Sequence, residues 1–334
     1  MSLTNWLAAK GFGGAKLRKG DLMESKPSDA AEPHEPELDP PFEVLEPAQL
    51  TCPLVFSSPH SGDIYPRRFL DSTKLDQAAL RRSEDAFVDT LFAGVTALGA
   101  PLVRARFPRA YLDLNREPYE LDPRMFDGRL PAFANTRSLR VAGGLGTIAR
   151  VVGQAQEIYG ARLPVSEALG RIEKLYKPYH ECLRLLLDRA RNSFGVAVLI
   201  DCHSMPSGAL QLGAAGVVGK IPTGPKPDFV VGDRFGTSCA VAFVDTVEYE
   251  LRRLGYAVQR NKPYAGGFIT EHYGHPAGDC HAMQIEISRA LYMDERAVRR
   301  GEKFDRVAAD LTQLAGALAE AAAGFRDRHR AAAE

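Results

Sequence analysis

The sequence predicts an α/β fold, in which a central sheet is covered by helices on both faces. Short apolar runs without charge alternate with longer stretches of helical periodicity, and this alternation is typical of such sheets. The clearest strand is residues 196–200, a run of Val, Ala, Val, Leu and Ile behind Gly195, because its length and composition are those of a buried strand. The clearest helix is residues 165–193, where apolar residues recur at steps of three and four.

The same criteria place the other elements along the chain. Strands are expected at 53–58, 101–106, 110–114, 196–202, 228–232 and 282–288. Helices are expected at about 76–98, 165–193, 234–254 and 294–325. The helix at 234–254 stops at Gly255, a residue that favours helix termination. Long loops rich in Pro and Gly, which commonly carry function, are expected at 118–131, 205–227 and 261–281.

The domain organisation follows from the distribution of Pro and acidic residues. Residues 20–48 are rich in Pro, Glu and Asp and hold too little apolar surface to order themselves. We therefore expect a weakly ordered tail at residues 1–45. No internal repeat and no clean linker follow residue 50, so residues 46–330 are expected to form a single catalytic domain.

Composition argues against several classes of protein. The 42 basic and 42 acidic residues cancel, so no global field favours nucleic acid or a membrane surface. No apolar run approaches the roughly 18–20 residues that span a bilayer, and the N-terminus lacks the apolar segment of a secretory signal. The five cysteines show no CxxC spacing, which favours a reducing, cytoplasmic location. Motifs of dinucleotide binding, the P-loop, the serine-hydrolase elbow and HExxH are absent from the sequence.

Two histidines follow buried strands in matching positions. His60 comes just after the expected strand 53–58, and His203 comes at the end of 196–202. Open α/β sheets gather their chemistry at such strand ends, and zinc hydrolases take three His or carboxylate ligands with one position left for water. The pair therefore predicts a metal site, although either histidine alone would more simply be a hydrogen-bonded structural residue. The third ligand is left open between Asp63 and Asp85.

A further acidic residue stands beside the second histidine. Asp201 precedes His203 by two positions, so both side chains share one face if the strand continues. A carboxylate there is suited to accept a hydrogen bond from the imidazole and orient it.

Two arginines are candidates for binding a substrate carboxylate. Asn115 and Arg116 follow the expected strand 110–114, and Arg109 lies just before it. A guanidinium donates two parallel hydrogen bonds to a carboxylate, whereas Asn can orient an amide. A surface salt bridge is the alternative for either arginine.

The expected strand 282–288 carries a candidate general base. Glu286 lies on its polar face and Arg289 follows it; a Glu beside a metal-bound water can take a proton and later give it to a leaving amine. Tyr264, Gly266 and Gly267 lie in a loop typical of segments that cover a substrate, since glycine allows close backbone approach. A strand salt bridge and a simple turn are the alternatives.

Six short fragments of the sequence are informative as a set. The fragments are 58–62 (SPHSG), 84–89 (EDAFVD), 107–116 (FPRAYLDLNR), 176–180 (YKPYH), 201–206 (DCHSMP) and 284–287 (QIEI). Together they resemble the N-formylglutamate amidohydrolase family. They occur in the family's order and span about residues 50–315, so that the set is specific although each fragment alone is short. The N-terminal tail has no counterpart in this resemblance.

The resemblance implies a fold and a metal site. The family is similar to the zinc carboxypeptidase and aspartoacylase group, which implies a mixed sheet sandwiched by helices in a phosphorylase/hydrolase-like zinc-hydrolase fold. It also implies one Zn²⁺ ion held by His60, His203 and a carboxylate. An Asp matching Asp85 recurs in the family, whereas the wider group uses the position that is Asp63 here. Asp85 is therefore the expected ligand and Asp63 the alternative.

The resemblance also implies roles for the polar residues named above. Asn115 and Arg116 match the pair that holds substrate in the wider group, Arg109 matches a recurring arginine, and Glu286 matches the general base. We expect Glu286 and Arg116 to be catalytic. Substrate binding is expected from Arg109, Asn115, Arg116, Tyr264, Gly266, Gly267 and Arg289.

The expected function is zinc-dependent hydrolysis of N-formyl-L-glutamate, or of a related N-acyl amino acid that carries a carboxylate, in the cytoplasm. Two alternatives remain open at this point. One is an amidase or peptidase that acts on another N-acyl amino acid or a peptidoglycan fragment, and the other is a non-catalytic binding protein on the same scaffold. No nucleic-acid or membrane partner is expected, and assembly into a homo-oligomer is left open.

Overall fold

A seven-stranded mixed β-sheet lies at the centre of the computed structural model, which describes residues 35–153, 155–208 and 226–333. The strands are β1 (Phe42–Leu45), β2 (Leu54–Ser58), β3 (Leu102–Ala105), β4 (Ala197–Met205), β5 (Phe229–Gly232), β6 (Val258–Arg260) and β7 (Cys280–Ser288). Their order across the sheet is β1-β3-β2-β4-β7-β5-β6. The four strands β3, β2, β4 and β7 are parallel, β1 is antiparallel at one edge, and β5 with β6 runs antiparallel to β7 at the other.

Helices cover both faces of this sheet. They are α1 (Arg67–Ser72), α2 (Gln77–Arg81), α3 (Val88–Leu91), α4 (Leu139–Ala142), α5 (Val165–Arg171), α6 (Lys177–Phe194), α7 (Val241–Arg253), α8 (Phe268–Tyr273) and α9 (Phe304–Ala333). A π-helical turn, Ile172–Tyr176, joins α5 to α6. Short two-stranded ribbons pair Phe126–Asp127 with Leu163–Pro164, Val151–Val152 with Gln156–Glu157, and Met293–Asp294 with Arg299–Arg300. The predicted α/β fold with a mixed sheet between helices is confirmed.

The central strand β4 divides its apolar side chains between two cores. Leu199 packs in the core that contains α6 residues, and Val198 and Ile200 pack in the core that contains α7 and α9 residues. All nine residues of β4 are buried, because a parallel strand between two helical layers has no face open to water.

The register of β4 and β7 aligns the polar residues at their carboxyl ends. His203 is opposite Glu286, and Asp201 is opposite Gln284. Side chains alternate between the faces of a strand, so these four share one face, while Cys202 and Ile285 point into the opposite core. The sheet therefore assembles one polar surface from two adjacent strands.

The strand expected at 110–114 is wrong. The chain there forms turns and irregular loop. The Tyr111 amide donates to the Pro108 carbonyl at 2.9 Å within a turn, and the Asp113 amide donates to the carbonyl of the distant Thr147 at 2.8 Å. Its apolar pattern reflects burial of Tyr111, Leu112 and Leu114 in the core around α6, and a packed loop produces that pattern as well as a strand does.

The folded region begins earlier than residue 46, where the tail was expected to end. Strand β1 pairs with β3, and Phe42 is 7% exposed and meets Tyr179 edge to face at 5.7 Å between ring centroids. The burial of Phe42 gives this segment apolar contacts with the core, which its Pro- and Glu-rich composition did not predict. Residues 1–34 of the expected tail lie outside the described residues, as does most of the expected loop 205–227.

The expected helix boundaries need three corrections. The helix at 76–98 is divided into α2, α3 and a 3₁₀ turn at Ala93–Leu98. The helix at 234–254 begins only at Val241, since Arg234 and Phe235 have positive φ angles of 53° and 57°. The helix at 294–325 begins at Phe304. Within the described ranges, no helix has the length and apolar character that crossing a membrane requires.

Candidate metal centre

Three buried side chains converge beside the carboxyl ends of β2 and β4. They are His60, Asp85 and His203, whose nearest ligand atoms all lie within 4.8 Å of one another. Asp85 Oδ2 lies 2.9 Å from His203 Nδ1 and 3.3 Å from His60 Nδ1. The two imidazole rings are 4.8 Å apart between centroids. Two imidazole nitrogens and one carboxylate oxygen facing a common point are a donor set able to hold a metal ion.

Local backbone structure brings Asp85 to the histidines. Asp85 lies in the turn between α2 and α3, and its amide donates to the His60 carbonyl at 3.0 Å. Phe87, two residues later, has a φ of 66°, which is an unfavourable angle for a residue with a bulky side chain. Such strain is retained where the surrounding contacts hold it, and here the Tyr292 hydroxyl donates to the Ala86 carbonyl at 3.0 Å.

The sequence left Asp63 and Asp85 open as the third ligand. Asp63 is exposed and is not part of the cluster, whereas Asp85 is 1% exposed and touches both imidazoles. Burial alone would raise the pKa of Asp85, but the neighbouring imidazoles of His203 and His60 hold that pKa well below its usual value. The geometry therefore favours Asp85.

A second carboxylate lies behind each imidazole. Asp113 Oδ1 lies 2.8 Å from His60 Nε2, and Asp201 Oδ2 lies 2.9 Å from His203 Nε2. A carboxylate beside each Nε2 favours the tautomer that carries its proton there, and this tautomer presents Nδ1 to the common point. Histidines that bind metals usually have such a partner on the other ring nitrogen. The contact expected between Asp201 and His203 is present.

The charges around the two rings favour a cation between them. Burial opposes a charged imidazole, yet Asp201 and Asp85 raise the pKa of His203 well above its usual value. His60 Nδ1 is buried and has no hydrogen-bond partner among the described residues. A divalent metal ion bound between the rings would give His60 Nδ1 a partner and would neutralise the negative charge of Asp85.

Glu286 lies on the same polar face, opposite His203 in the strand register. It is 7% exposed, and its Oε1 accepts a hydrogen bond from Gln284 Nε2 at 2.6 Å. Burial is the main cause that raises the pKa of Glu286 to about 7. A carboxyl group that titrates near neutrality can both accept and return a proton.

Asp113 is the point where the two candidate substrate arginines meet. Arg109 Nη2 donates to Asp113 Oδ2 at 2.8 Å, and Arg116 Nη2 lies 3.7 Å from the same oxygen. Burial alone would raise the pKa of Asp113, but Arg109 and Arg116 hold it well below its usual value. Arg116 also donates to the carbonyls of Leu145 and Asn115 at 2.9 and 2.8 Å.

Asn115 links the histidine network to the glycine loop. Its Nδ2 donates to Asp201 Oδ2 at 3.0 Å, and its Oδ1 accepts from the Ile269 amide at 2.8 Å. A Cβ on Gly267 would come within 2.4 Å of the Asn115 amide group, so only glycine fits at that position.

The other predicted loop residues lie beside the same network. The Gly267 amide donates to Gln284 Oε1 at 2.8 Å, while Gly266 has a φ of 116°, which favours glycine. Tyr264 packs with Met205 and Val230. The expected close approach of the loop to the site is therefore present.

Two residues of this network were not singled out from the sequence. Gln284 precedes Glu286 by two positions and so lies on the same polar face of β7. This alternation could have indicated from the sequence that Gln284 lies beside Glu286. Asp113 was hidden within a stretch that was expected to be a strand. Arg289, expected to bind substrate, donates to Asp85 Oδ1 at 3.2 Å.

The family model for N-formylglutamate amidohydrolase matches residues 52–293. The chain belongs to this family. Membership confirms the resemblance drawn from the six fragments, and it agrees with the predicted class of enzyme, a hydrolase that acts on an amide bond.

Individual relatives agree with the family match. The chain is 31% identical over 256 residues to N-formylglutamate deformylase of Pseudomonas putida, which covers 75% of this chain and 86% of the relative. A Pseudomonas aeruginosa protein of the same name is 28% identical over 259 residues, covering 76% of this chain and 87% of the relative.

Solved structures share the fold. The crystal structure of N-formylglutamate amidohydrolase from Ralstonia eutropha JMP134 is 38% identical, with a TM-score of 0.79 over 84% of this chain and 98% of that one. A protein of Agrobacterium tumefaciens at 18% identity, with a TM-score of 0.56, covers 83% of this chain and 94% of its own.

Proposed function

We propose that the protein is a zinc-dependent N-formylglutamate deformylase, which hydrolyses the formyl amide of N-formyl-L-glutamate to formate and glutamate. One observation carries the metal dependence: His60 Nδ1, His203 Nδ1 and Asp85 Oδ2 face one another within a buried cluster. The substrate is inferred from the relatives named N-formylglutamate deformylase and N-formylglutamate amidohydrolase.

His60, His203 and Asp85 would hold the zinc ion, with Asp113 and Asp201 keeping both imidazoles in the tautomer that presents Nδ1. A metal held by these three residues would have room for a water or substrate ligand as well. When bound, zinc polarises a carbonyl and lowers the pKa of its water toward about 7.

Glu286 is the proposed general base. It accepts a proton from the attacking water and later returns it to the amine nitrogen of glutamate as the C–N bond breaks. The Gln284 amide donates to Oε1 of Glu286 and so holds the carboxylate in one orientation. A pKa of about 7 leaves the group able to perform both transfers near neutral pH.

Arg109 and Arg116 are the proposed partners of the two carboxylates of the glutamate portion. Their side chains keep 26% and 13% of their surface exposed, and both are anchored beside Asp113. Planar guanidinium groups suit carboxylates because two parallel hydrogen bonds form at once. Arg116, adjacent to Asn115, is also a candidate for stabilising the negative oxygen that develops on the formyl group.

The first test is hydrolysis by protein of known metal content. Formate release from N-formyl-L-glutamate is measured for the purified protein, for protein stripped with a chelator, and for stripped protein given back zinc. We expect activity to disappear on stripping and to return with about one zinc per chain. Full activity in protein shown to be metal-free would contradict the metal-dependent proposal. N-acetyl-L-glutamate, N-formylglycine and a muropeptide, assayed in parallel, test the acyl group and the need for a second carboxylate.

The second test removes the proposed base. Glu286→Gln should lower kcat by about 10²–10⁴-fold, the usual contribution of a positioned acid–base group, while zinc content stays unchanged. Glu271→Gln, which alters an exposed glutamate on α8, is the control and should keep the activity of the unaltered protein. A Glu286→Gln variant with undiminished kcat would remove Glu286 from the mechanism.

A further inference from the structure

Arg289 is a buried arginine, and each of its three guanidinium nitrogens donates one hydrogen bond to the protein. It lies directly after β7 and is 7% exposed. Its Nη2 donates to Asp85 Oδ1 at 3.2 Å, its Nε donates to Ser204 Oγ at 3.1 Å, and its Nη1 donates to the Arg82 carbonyl at 3.0 Å. All three nitrogens therefore have protein acceptors, so the guanidinium is held in one orientation toward Asp85 and Ser204.

The two oxygens of Asp85 are divided between different partners. Oδ2 faces the Nδ1 atoms of His60 and His203. Oδ1 accepts hydrogen bonds from Arg289 and from the Ser204 hydroxyl, each at 3.2 Å. A carboxylate held by one oxygen in this way offers only the other oxygen to a metal ion.

We propose that Arg289 is a positioning residue for the metal ligand Asp85, with Ser204 as its partner, and that Asp85 binds through Oδ2 alone. This inference rests on the metal site of the proposed function. It replaces the substrate-binding role that the sequence indicated for Arg289.

The position of Arg289 explains how one residue can orient the Asp85 carboxylate. Its three hydrogen bonds join the end of β7 to Ser204 on β4 and to the 82–85 turn that carries Asp85. Ser204 is adjacent to His203, and Asp85 lies on a turn with a strained residue, Phe87. Without Arg289, the Asp85 carboxylate would lose the charged partner that fixes its rotation. Partners of metal ligands typically contribute 10–100-fold to metal affinity, by orienting the ligand before binding.

The experiment measures zinc affinity directly, by titrating metal-free protein in competition with a chromophoric chelator. We expect Arg289→Lys and Arg289→Met to weaken zinc binding by about 10–100-fold, with Lys the milder change. At saturating zinc, the KM for N-formyl-L-glutamate should stay within about twofold of the unaltered value. Unchanged zinc affinity would overturn the proposal, and an increase in KM without a loss of zinc affinity would return Arg289 to substrate binding.

Two further variants separate positioning from simple loss of folding. Ser204→Ala removes one hydrogen bond to Asp85 Oδ1 without deleting a buried charge, and should weaken zinc binding less than Arg289→Met does. Arg260→Lys alters an arginine that pairs with Asp233 outside the cluster, and should leave zinc affinity unchanged. If Arg289→Met does not fold, Arg289→Lys and Ser204→Ala decide the question, and unaltered affinity in both would overturn it.

Zinc binding and formate release, measured separately, distinguish this inference from the proposed function. An unaltered protein that binds zinc but releases no formate from N-formyl-L-glutamate would contradict the proposed substrate and leave the role of Arg289 intact. An unaltered protein that binds no zinc would overturn the role of Arg289.

Discussion

Two histidines, His203 on β4 and His180 on α6, have both ring nitrogens in contact with protein atoms, but their partners are opposite in character. His203 lies between two carboxylates, with Asp85 2.9 Å from Nδ1 and Asp201 2.9 Å from Nε2. His180 lies between the Leu114 carbonyl, 2.9 Å from Nε2, and the Tyr273 hydroxyl, 3.0 Å from Nδ1.

The partners determine whether each ring favours positive charge. The carboxylates raise the pKa of His203 well above its usual value, although burial opposes it. The carbonyl and hydroxyl satisfy a neutral imidazole, and burial lowers the pKa of His180 to about 3. Aromatic rings also surround His180, with Tyr176 at 4.2 Å and Phe268 at 5.7 Å between centroids. A buried histidine is thus a candidate for cation binding when carboxylates face it, and a structural link between elements when neutral groups do.

The sharpest test of this comparison exchanges each histidine for the same residue. His203→Gln removes a proposed ligand and should abolish both zinc binding and formate release. His180→Gln should keep one zinc per chain and lose about 1–3 kcal/mol of unfolding free energy, as expected for altered buried hydrogen bonds. Metal analysis measures the zinc content of the two variants, and urea unfolding measures their unfolding free energies. Loss of zinc from folded His180→Gln would contradict the assignment of His180 as a purely structural histidine.

A smaller effect is expected from the carboxylates behind the ligands. Asp201→Asn and Asp113→Asn keep the shape of the side chain but remove the charge that favours a cation between the rings. Each should weaken zinc binding by about 10–100-fold, measured by chelator competition. Asp188→Asn, which alters a partly exposed carboxylate that pairs with Arg184 on α6, is the control. Equal zinc affinity in all three variants would show that charge behind the imidazoles is unimportant.

The sequence was sufficient to predict the parts of the molecule that depend on local pattern. The run at 196–200 and the alternation at 283–288 identified β4 and β7, because buried strands and two-faced strands have distinct compositions. Strand-end positions then indicated His60 and His203 as neighbours, and the polar face of the strand at 282–288 indicated Glu286 as a candidate base. These residues lie together in the structure, although their roles stay predictions.

Other features depended on contacts that no local pattern encodes. Strand β6, half exposed at the sheet edge, has no apolar run to reveal it. Asp113 supports His60 from a turn whose apolar neighbours imitate a strand, and Arg289 turns toward Asp85, 204 residues away in sequence. Such pairs are set by tertiary packing, so residue type and spacing could indicate a polar role for Arg289 but not its partner.

The smallest expected effect concerns the pH dependence that His180 gives to stability. Its pKa is about 3 in the folded protein and about 6.5 in an unfolded chain. Between these values the unfolded chain binds more protons, so the stabilisation is fully present above about pH 6.5 and is lost as the pH falls toward 3. The slope from this one group is at most about 1.4 kcal/mol per pH unit.

Other groups titrate in the same range, so the useful quantity is a difference between two proteins. Urea unfolding of metal-free unaltered protein and of His180→Gln, from pH 7.5 down to 4.5, isolates the contribution of this imidazole. The advantage of the unaltered protein should shrink as the pH falls, since only the unaltered protein takes up a proton at position 180 when it unfolds. A difference that stays constant over this range would mean that folding does not lower the pKa of His180, and the contrast with His203 would then fail.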